Sequence, residues 1–290
     1  MKQSRILQIG LFPVNPEVPK GGVEASVYGL SRAQADRGDE VRVIDLPRKG
    51  IRDERTTYKG FGILRLRNPF PLEFFAVCRL PQVLREVRQF RPDVVHLHGS
   101  SLLGLVLLWC LRVMGRNAVI TIHGLLTLET RKAYRRSGKK IYILQWLFYS
   151  VLEWLLIHSA RRIIVDTEYV REWVAARKGK NALYVIPQGI EEVYFSLPDN
   201  GRPYQLLSVG AFSGRKGYEH AIRAVSLLVH EFPQLHYRIA GFSCDDAYFG
   251  KLKQQVADAG LEHKIELVPN PDKDTVRQYF SEADLFLLHS

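Results

Sequence analysis

The chain has 290 residues, is 46% hydrophobic and 24% charged, and carries a formal net charge of +11. That length suits two domains better than one core, and the composition excludes a disordered or collagen-like chain. Cys78, Cys110 and Cys244 are too few and too scattered for a disulfide framework and form no CxxC pair, so a reducing cytoplasm is expected.

The start, MKQSRILQIGLFPVNP, lacks a full signal-peptide core and a small-residue cleavage site, and reads as a first strand over 5–10. Gly21 and Gly22 follow a long loop and open a helix over 23–37, with Val23, Val27 and Leu30 on one face and Gly38 at its end. Strands are expected at 41–46 and at 61–67, the second alternating apolar and polar and so wetter on one face. A helix over 74–90, a buried strand over 93–98 (DVVHLH), an apolar helix from 102 and a strand over 118–123 (AVITIH) come next. Strands at 162–166 and 183–186 flank a short helix over 168–177. Strands alternating with helices predict an α/β fold whose parallel sheet is covered on both faces. The turn-rich stretch SLPDNGRP over 196–203 reads as a linker, dividing the chain into domains 1–195 and 196–290. The second domain repeats the rhythm, with strands at 204–210, 235–240, 264–268 and 284–288 and helices at 217–231, 246–259 and 273–281.

Charge is unevenly spread. Residues 1–195 hold 31 Lys and Arg against 18 Asp and Glu, while the rest hold 10 against 12. The densest run, 131–140 (RKAYRRSGKK), reads either as a solvated loop or as a patch for an anionic surface. No nucleic-acid motif accompanies it, so an anionic membrane surface is expected rather than nucleic acid. The apolar stretch 102–111 is too short to cross a bilayer. The longer run 141–157 (IYILQWLFYSVLEWLLI) is broken by Gln145, Ser150 and Glu153. It reads as a mostly buried core helix, or as one that shows Trp146, Phe148 and Trp154 to a membrane beside the basic run. Peripheral attachment to the inner face of the plasma membrane is expected on the second reading.

Ligands of open parallel sheets collect at the carboxyl ends of the strands, and that rule selects few positions. Gly21 and Gly22 allow close backbone approach and put helix amides behind a ligand; Glu24 suits the helix dipole whatever the function. His98 lies near one strand end and His123 ends the next, where an imidazole can hold a sugar hydroxyl or a leaving phosphate oxygen. The alternative for each is a hydrogen-bonded core residue. His96 shares a face with His98, but no third ligand is evident, so no metal is expected. Arg215 and Lys216 precede a helix and form a candidate pyrophosphate clamp, with Gly210 and Gly241 at neighbouring strand ends as candidates for the ligand cleft. The absence of a GxGxxG after the first strand disfavours a nicotinamide dehydrogenase.

The ordered set GGVEASVYGLSRAQADRGDEVRVI, VVHLHGS, ITIHG, VDTEYVRE, VIPQGIE and LLSVGAFSGRKGYEHAI resembles the successive motifs of family-4 retaining glycosyltransferases, over essentially the whole chain. The resemblance implies a GT-B fold: two Rossmann-like domains with parallel sheets facing across a cleft. It implies transfer of a hexose from a nucleotide-sugar to a glycan or lipid-linked acceptor with retention, in surface polysaccharide, lipopolysaccharide or glycolipid synthesis, without metal or cofactor. Residue by residue it places Gly21 and Gly22 against the donor phosphates, His123 as the catalytic histidine beside the transferred sugar, and Lys216 on the phosphates. The family's arginine after the strand glycine is Ala211 here, with Arg215 as a substitute charge, and the asparagine of its IPNG motif is Gln188. In the family, the strand at LFLLHS (285–290) runs into a loop bearing two glutamates and then into further strands and a helix. The second domain is therefore expected to be incomplete and the 290-residue chain to be poorly active. A non-catalytic membrane-docking module and a nucleotide-sugar epimerase stand as alternatives.

Overall fold

The computed structural model describes residues 3–16, 19, 21–48, 52–68, 73–178, 182–243 and 245–288. Cys244 lies outside them. The chain divides into two compact units, residues 1–189 and 190–290. The division falls ahead of the 195/196 boundary read from the linker. The short 3-10 turn Glu192–Phe195 belongs with the second unit because Glu191 pairs there with Lys273 (2.9 Å) and Arg277 (3.2 Å).

In the first unit, the described residues form an eight-stranded sheet. Its strands are β1 Arg5–Gly10, β2 Glu40–Arg48, β3 Glu54–Tyr58, β4 Phe61–Arg67, β5 Val94–His98, β6 Ala118–Ile122, β7 Ile163–Val165 and β8 Leu183–Val185, in the order β3-β4-β2-β1-β5-β6-β7-β8. All neighbours run parallel except β3 and β4, which pair antiparallel. The sequence expectation of a wholly parallel sheet is corrected there. ERTTY is polar and half-exposed, so it gives no apolar run, and it reaches the sheet through the tight turn Lys59–Gly60, both at positive φ. The inner strands are buried on both faces, as parallel strands under helices must be.

Helices α1 Gly22–Asp36, α2 Leu80–Phe90, α3 Leu102–Val113, α4 Leu126–Ser137, α5 Ile141–Ser159 and α6 Glu168–Lys178 cover the sheet. Residues 73–79 form a 3-10 segment ahead of α2, where a continuous helix was expected. One apolar cluster joins Leu7, Ile9, Val95, Leu97, Ile120 and Ile122 of the central strands to Leu105, Leu108 and Leu111 of α3 and Leu152, Leu156 and Ile157 of α5. A second joins Phe12, Val27, Tyr28, Val43, Phe61 and Ile63 around α1. Each such side chain contributes about 1.5–3 kcal/mol when fully buried.

Two sequence readings change here. The basic run is no loop: through Ser137 it lies on α4, which ends at Gly138 with φ 67, a left-handed cap that glycine adopts without strain. Helix α5 is not mostly buried. Leu152, Glu153, Leu156 and Ile157 enter the core, while Leu144 (65% exposed), Phe148, Val151 and Trp154 face outward. Trp146, expected on that outward face, is half-buried. By length and composition α5 could cross a bilayer, but it packs against α3, α4 and α6 as part of this unit. No side chain of its own first turn caps α4. Instead Glu153 of α5 accepts from the amides of Leu126 (2.7 Å) and Thr127 (3.3 Å). Burial raises the Glu153 carboxyl above its ordinary value.

In the second unit, the described residues give four parallel strands: β9 Gln205–Val209, β10 His236–Gly241, β11 Ile265–Pro269 and β12 Leu285–Phe286, ordered β11-β10-β9-β12. Helices α7 Tyr218–Leu228, α8 Asp246–Asp258 and α9 Lys273–Glu282 accompany them. The core gathers Phe212, Tyr218, Ile222, Val225, Tyr237, Ile239, Leu252 and Val256.

Candidate active site

At the carboxyl end of the first sheet, Gly21 caps α1 with an extended backbone (φ −156), a conformation open to any residue. A Cβ at Gly21 or Gly22 would meet nothing within 4 Å. Neither glycine is required by the unit's own packing. Both are exposed, and Gly21, having no side chain, cannot cap the helix start itself. The loop leading there is anchored from below. Asp45 of β2 accepts from the Phe12 amide (3.0 Å) and from Arg65 of β4 (2.9 Å), and Arg65 donates on to the carbonyls of Pro13 (2.9 Å) and Val14 (3.3 Å).

The next strand ends carry a row of polar side chains. Parallel register sets Ile122 beside Val165, so His123 and Asp166, each one residue further on, come side by side. His123 Nδ1 lies 3.1 Å from Asp166 Oδ2, and Gln188 donates to the same oxygen at 2.6 Å. His123 Nε2 lies 3.0 Å from His98 Nδ1, and the two rings meet edge to edge, nearly coplanar, with centroids 5.3 Å apart. His98 Nε2 faces the Gln8 amide at 2.7 Å, and His96 stacks on His98 while its Nε2 meets Thr121 Oγ1 at 2.7 Å. Burial, reinforced by the neighbouring His123, pulls His96 down to about 4; burial likewise holds His98 well below its ordinary value.

These contacts correct two expectations. His98 is not ligand-facing: it is 4% exposed and packed so closely that a Cβ at Gly10 would sit 2.8 Å from its own Cβ. His123 does end its strand at the rim, but both its ring nitrogens are taken up by Asp166 and His98, leaving neither for a sugar hydroxyl. Asp166 was missed as a functional candidate. The signal available was positional, since it follows its strand as His123 follows the neighbouring one.

In the second unit, Gly217 has φ 65 and caps α7, a left-handed turn that favours glycine. It presents Lys216 beside the end of β9, where a Cβ on Gly210 would lie 3.3 Å from Lys216 Cε and 2.9 Å from Tyr218 Oη. Burial first, and the charge of Arg215 second, pull the Lys216 ammonium below its ordinary value. An incoming anion would relieve both penalties. Arg215 lies exposed beside it. Gly241 has a different reason to be glycine: a Cβ there would stand 1.9 Å from the Gly210 carbonyl oxygen. Gly210 and Gly241 are thus contact points between strand ends. Around them, Phe212 donates to Phe242 (2.8 Å), and the Asn270 amide donates to Gly241 (2.7 Å) while its side chain accepts from Ser243 (3.2 Å).

Two α/β units built on largely parallel sheets are the architecture of a GT-B glycosyltransferase. Residues 20–193 match Glycosyltransferase Family 4, and residues 190–290 match Glycosyl transferases group 1. The chain belongs to glycosyltransferase family 4. It is 25% identical over 278 residues to the GDP-mannose:cellobiosyl-diphosphopolyprenol alpha-mannosyltransferase of Xanthomonas oryzae, covering 92% of this chain and 68% of that protein. It is 22% identical over 303 residues to the alpha-monoglucosyldiacylglycerol synthase of Streptococcus pneumoniae, covering 97% of this chain and 65% of that one. The chain thus spans about two thirds of the length of these relatives. Among solved structures, the sucrose-phosphate synthase of Thermosynechococcus elongatus superposes with a TM-score of 0.76 at 20% identity, covering 99% of this chain and 75% of that one.

Proposed function

We propose that the protein transfers a hexose from a nucleotide-sugar to a glycan or lipid-linked acceptor with retention, in the synthesis of a surface polysaccharide, lipopolysaccharide or glycolipid. The observation that carries this reading is the turn ahead of α7, where partly buried Lys216 and exposed Arg215 stand on a left-handed glycine at a helix start. In the reaction, the bond from the anomeric carbon to the diphosphate oxygen breaks. The acceptor hydroxyl oxygen bonds to that carbon on the same face, and the hydroxyl proton leaves with the diphosphate. Lys216 and Arg215 neutralise the charge that develops on the leaving group, the amides behind Gly21 and Gly22 bind anionic oxygens, and His123 flanks the sugar. The reading invokes no metal and no nucleic acid. Two relatives' names support the donor and acceptor classes: one specifies GDP-mannose and a diphosphopolyprenol, the other a diacylglycerol.

A lipid-linked acceptor places the protein in the cytoplasm, at the inner face of the plasma membrane. The outward face of α5, with Leu144, Phe148, Val151 and Trp154, would enter the headgroup region. Exposed Arg131, Lys132 and Arg135 of the adjoining α4 would meet anionic lipid.

The test is calorimetric titration of a panel of nucleotide-sugars into the 290-residue chain and its Lys216→Ala variant. A charge-assisted phosphate contact contributes about 1.5–3 kcal/mol, so the variant should bind roughly ten- to a hundred-fold more weakly at unchanged Tm. Equal affinity in the two proteins rules out the clamp. Glycoside formation from the bound donor, undiminished by a chelator, supports the transferase; an epimerised nucleotide-sugar as sole product overturns it.

A further inference from the structure

Asp166 belongs to no part of the machinery assigned so far, yet it determines where a proton sits on His123. A carboxylate only accepts, so Asp166 Oδ2 at 3.1 Å favours hydrogen on His123 Nδ1, while the Gln188 amide nitrogen, also 3.1 Å from Nδ1, favours its absence; the full charge of the carboxylate outweighs the amide dipole. The rest of the row leaves two arrangements. As placed, Gln8 offers its oxygen to His98 Nε2 and its nitrogen to Gln34 (2.8 Å). His98 then accepts at Nδ1 from His123 Nε2, and His123 Nδ1 either donates to Asp166 or accepts from Gln188. If the Gln8 and Gln34 amides are both turned over, Gln8 donates to His98, His98 donates to His123, and all rings are neutral. Both arrangements accommodate the proton on His123 Nδ1 that the Asp166 carboxylate favours.

The ring is held from several sides. Its Nδ1 side faces Asp166 and Gln188, and its Nε2 edge meets the His98 ring nearly in plane. The groups of changeable charge packed around it are Asp166 after β7, His96 and His98 on β5, and Glu129 of α4, whose Oε1 lies 3.5 Å from a Cβ position on Gly124. Among these Asp166 alone contacts Nδ1 in the described structure, and its side chain is 13% exposed, so water competes poorly for it. Gln188 donates to the same carboxylate oxygen and helps to hold it in place.

We infer that Asp166 is a positioning residue of the transfer site: with Gln188 it locks the orientation and the Nδ1–H state of His123, and thereby the wall that His123 presents at the end of β6. The inference builds on the transferase reading for its kinetic consequence only. Carboxylates behind metal-bound imidazoles are typically worth ten- to a hundred-fold when removed, and a loss of about that order is expected here.

The experiment uses the 290-residue chain labelled with 15N-histidine, as wild type, Asp166→Asn, Asp166→Glu and Gln188→Leu, each checked for an unchanged far-UV spectrum and melting curve. His123 is assigned by the signal lost in His123→Gln. In wild type, His123 should show hydrogen on Nδ1. In Asp166→Asn that signal should give way to the Nε2–H form, and Asp166→Glu should restore it in part. For transfer, Asp166→Asn should lower kcat about ten- to a hundred-fold with donor KM within about two-fold, and Gln188→Leu should have a smaller effect in the same direction. A wild-type His123 in the Nε2–H form overturns the inference, as does an Asp166→Asn variant whose His123 signal and kcat both match wild type. If the NMR arm comes out as expected while no nucleotide-sugar binds the chain, the role of Asp166 in holding His123 stands and the transferase reading fails.

Discussion

Replacing Arg65 with methionine tests whether the loop between β1 and the Gly21–Gly22 turn is held by a buried charge pair. Asp45 is fully buried, and its Oδ2 takes one of the Arg65 N–H groups at 2.9 Å. The other terminal nitrogen reaches two loop carbonyls, at 2.9 and 3.3 Å. Methionine fills the space but strands the Asp45 charge. Removing one partner of a buried pair costs about 3–5 kcal/mol, a large share of the roughly 5–15 kcal/mol that holds a domain folded. The first unit has 189 residues, a size at which 1 kcal/mol shifts Tm by about 2–4 °C. The melting transition of Arg65→Met should therefore fall by roughly 6–20 °C. Adding Asp45→Asn removes the stranded charge while still accepting the Phe12 amide, so the double variant should recover half of the loss or more. Calorimetric and urea melts of the wild type, both single variants and the double variant give the cycle. A loss below about 1 kcal/mol in Arg65→Met, or a double variant no more stable than Arg65→Met alone, refutes the reasoning.

Four further outcomes are expected. Gly241→Ala should destabilise the second unit by more than the about 1–3 kcal/mol usual for overpacking, because its Cβ would stand 1.9 Å from a backbone oxygen. Gly21→Ala should leave Tm within about 1 °C and weaken nucleotide-sugar binding; unchanged affinity would remove Gly21 from the site. Glu153 has a folded value above its unfolded one, so its contribution to stability is full below the unfolded value and is lost as pH rises through the carboxylate range to the folded value. The stability of Glu153→Gln relative to wild type, from urea melts between about pH 4 and 7, should accordingly rise with pH; a flat or falling difference contradicts it. Leu144→Glu with Phe148→Glu should abolish sedimentation with anionic vesicles at low salt, and retained pelleting would remove the α5 face from any membrane contact.

The alternation of strands and helices was legible because parallel strands buried on both faces write themselves as short apolar runs such as RILQIG and VVHLH. The α7 turn was legible because Gly217 and the two cations before it are adjacent in sequence. What escaped depends on partners far along the chain. Strand β3 is polar and owes its place to pairing with β4. Helix α4 lacks a cap of its own, and the carboxylate that serves lies on α5. The outward half of α5 is as apolar as its buried half, so only the packing tells them apart. Asp166 and Gln8 reach the histidines through the order of strands, which no local pattern records.

On the proposed transferase reading, the Gly241–Gly210 approach has a practical meaning for anyone re-engineering the second unit. Since even a methyl group at position 241 would displace the neighbouring strand's carbonyl, that position offers a library nothing but glycine. Diversity belongs instead in the segment 211–216, where Ala211, Ser213 and Arg215 are not fully enclosed and the buried ring of Phe212 anchors the loop while its neighbours vary.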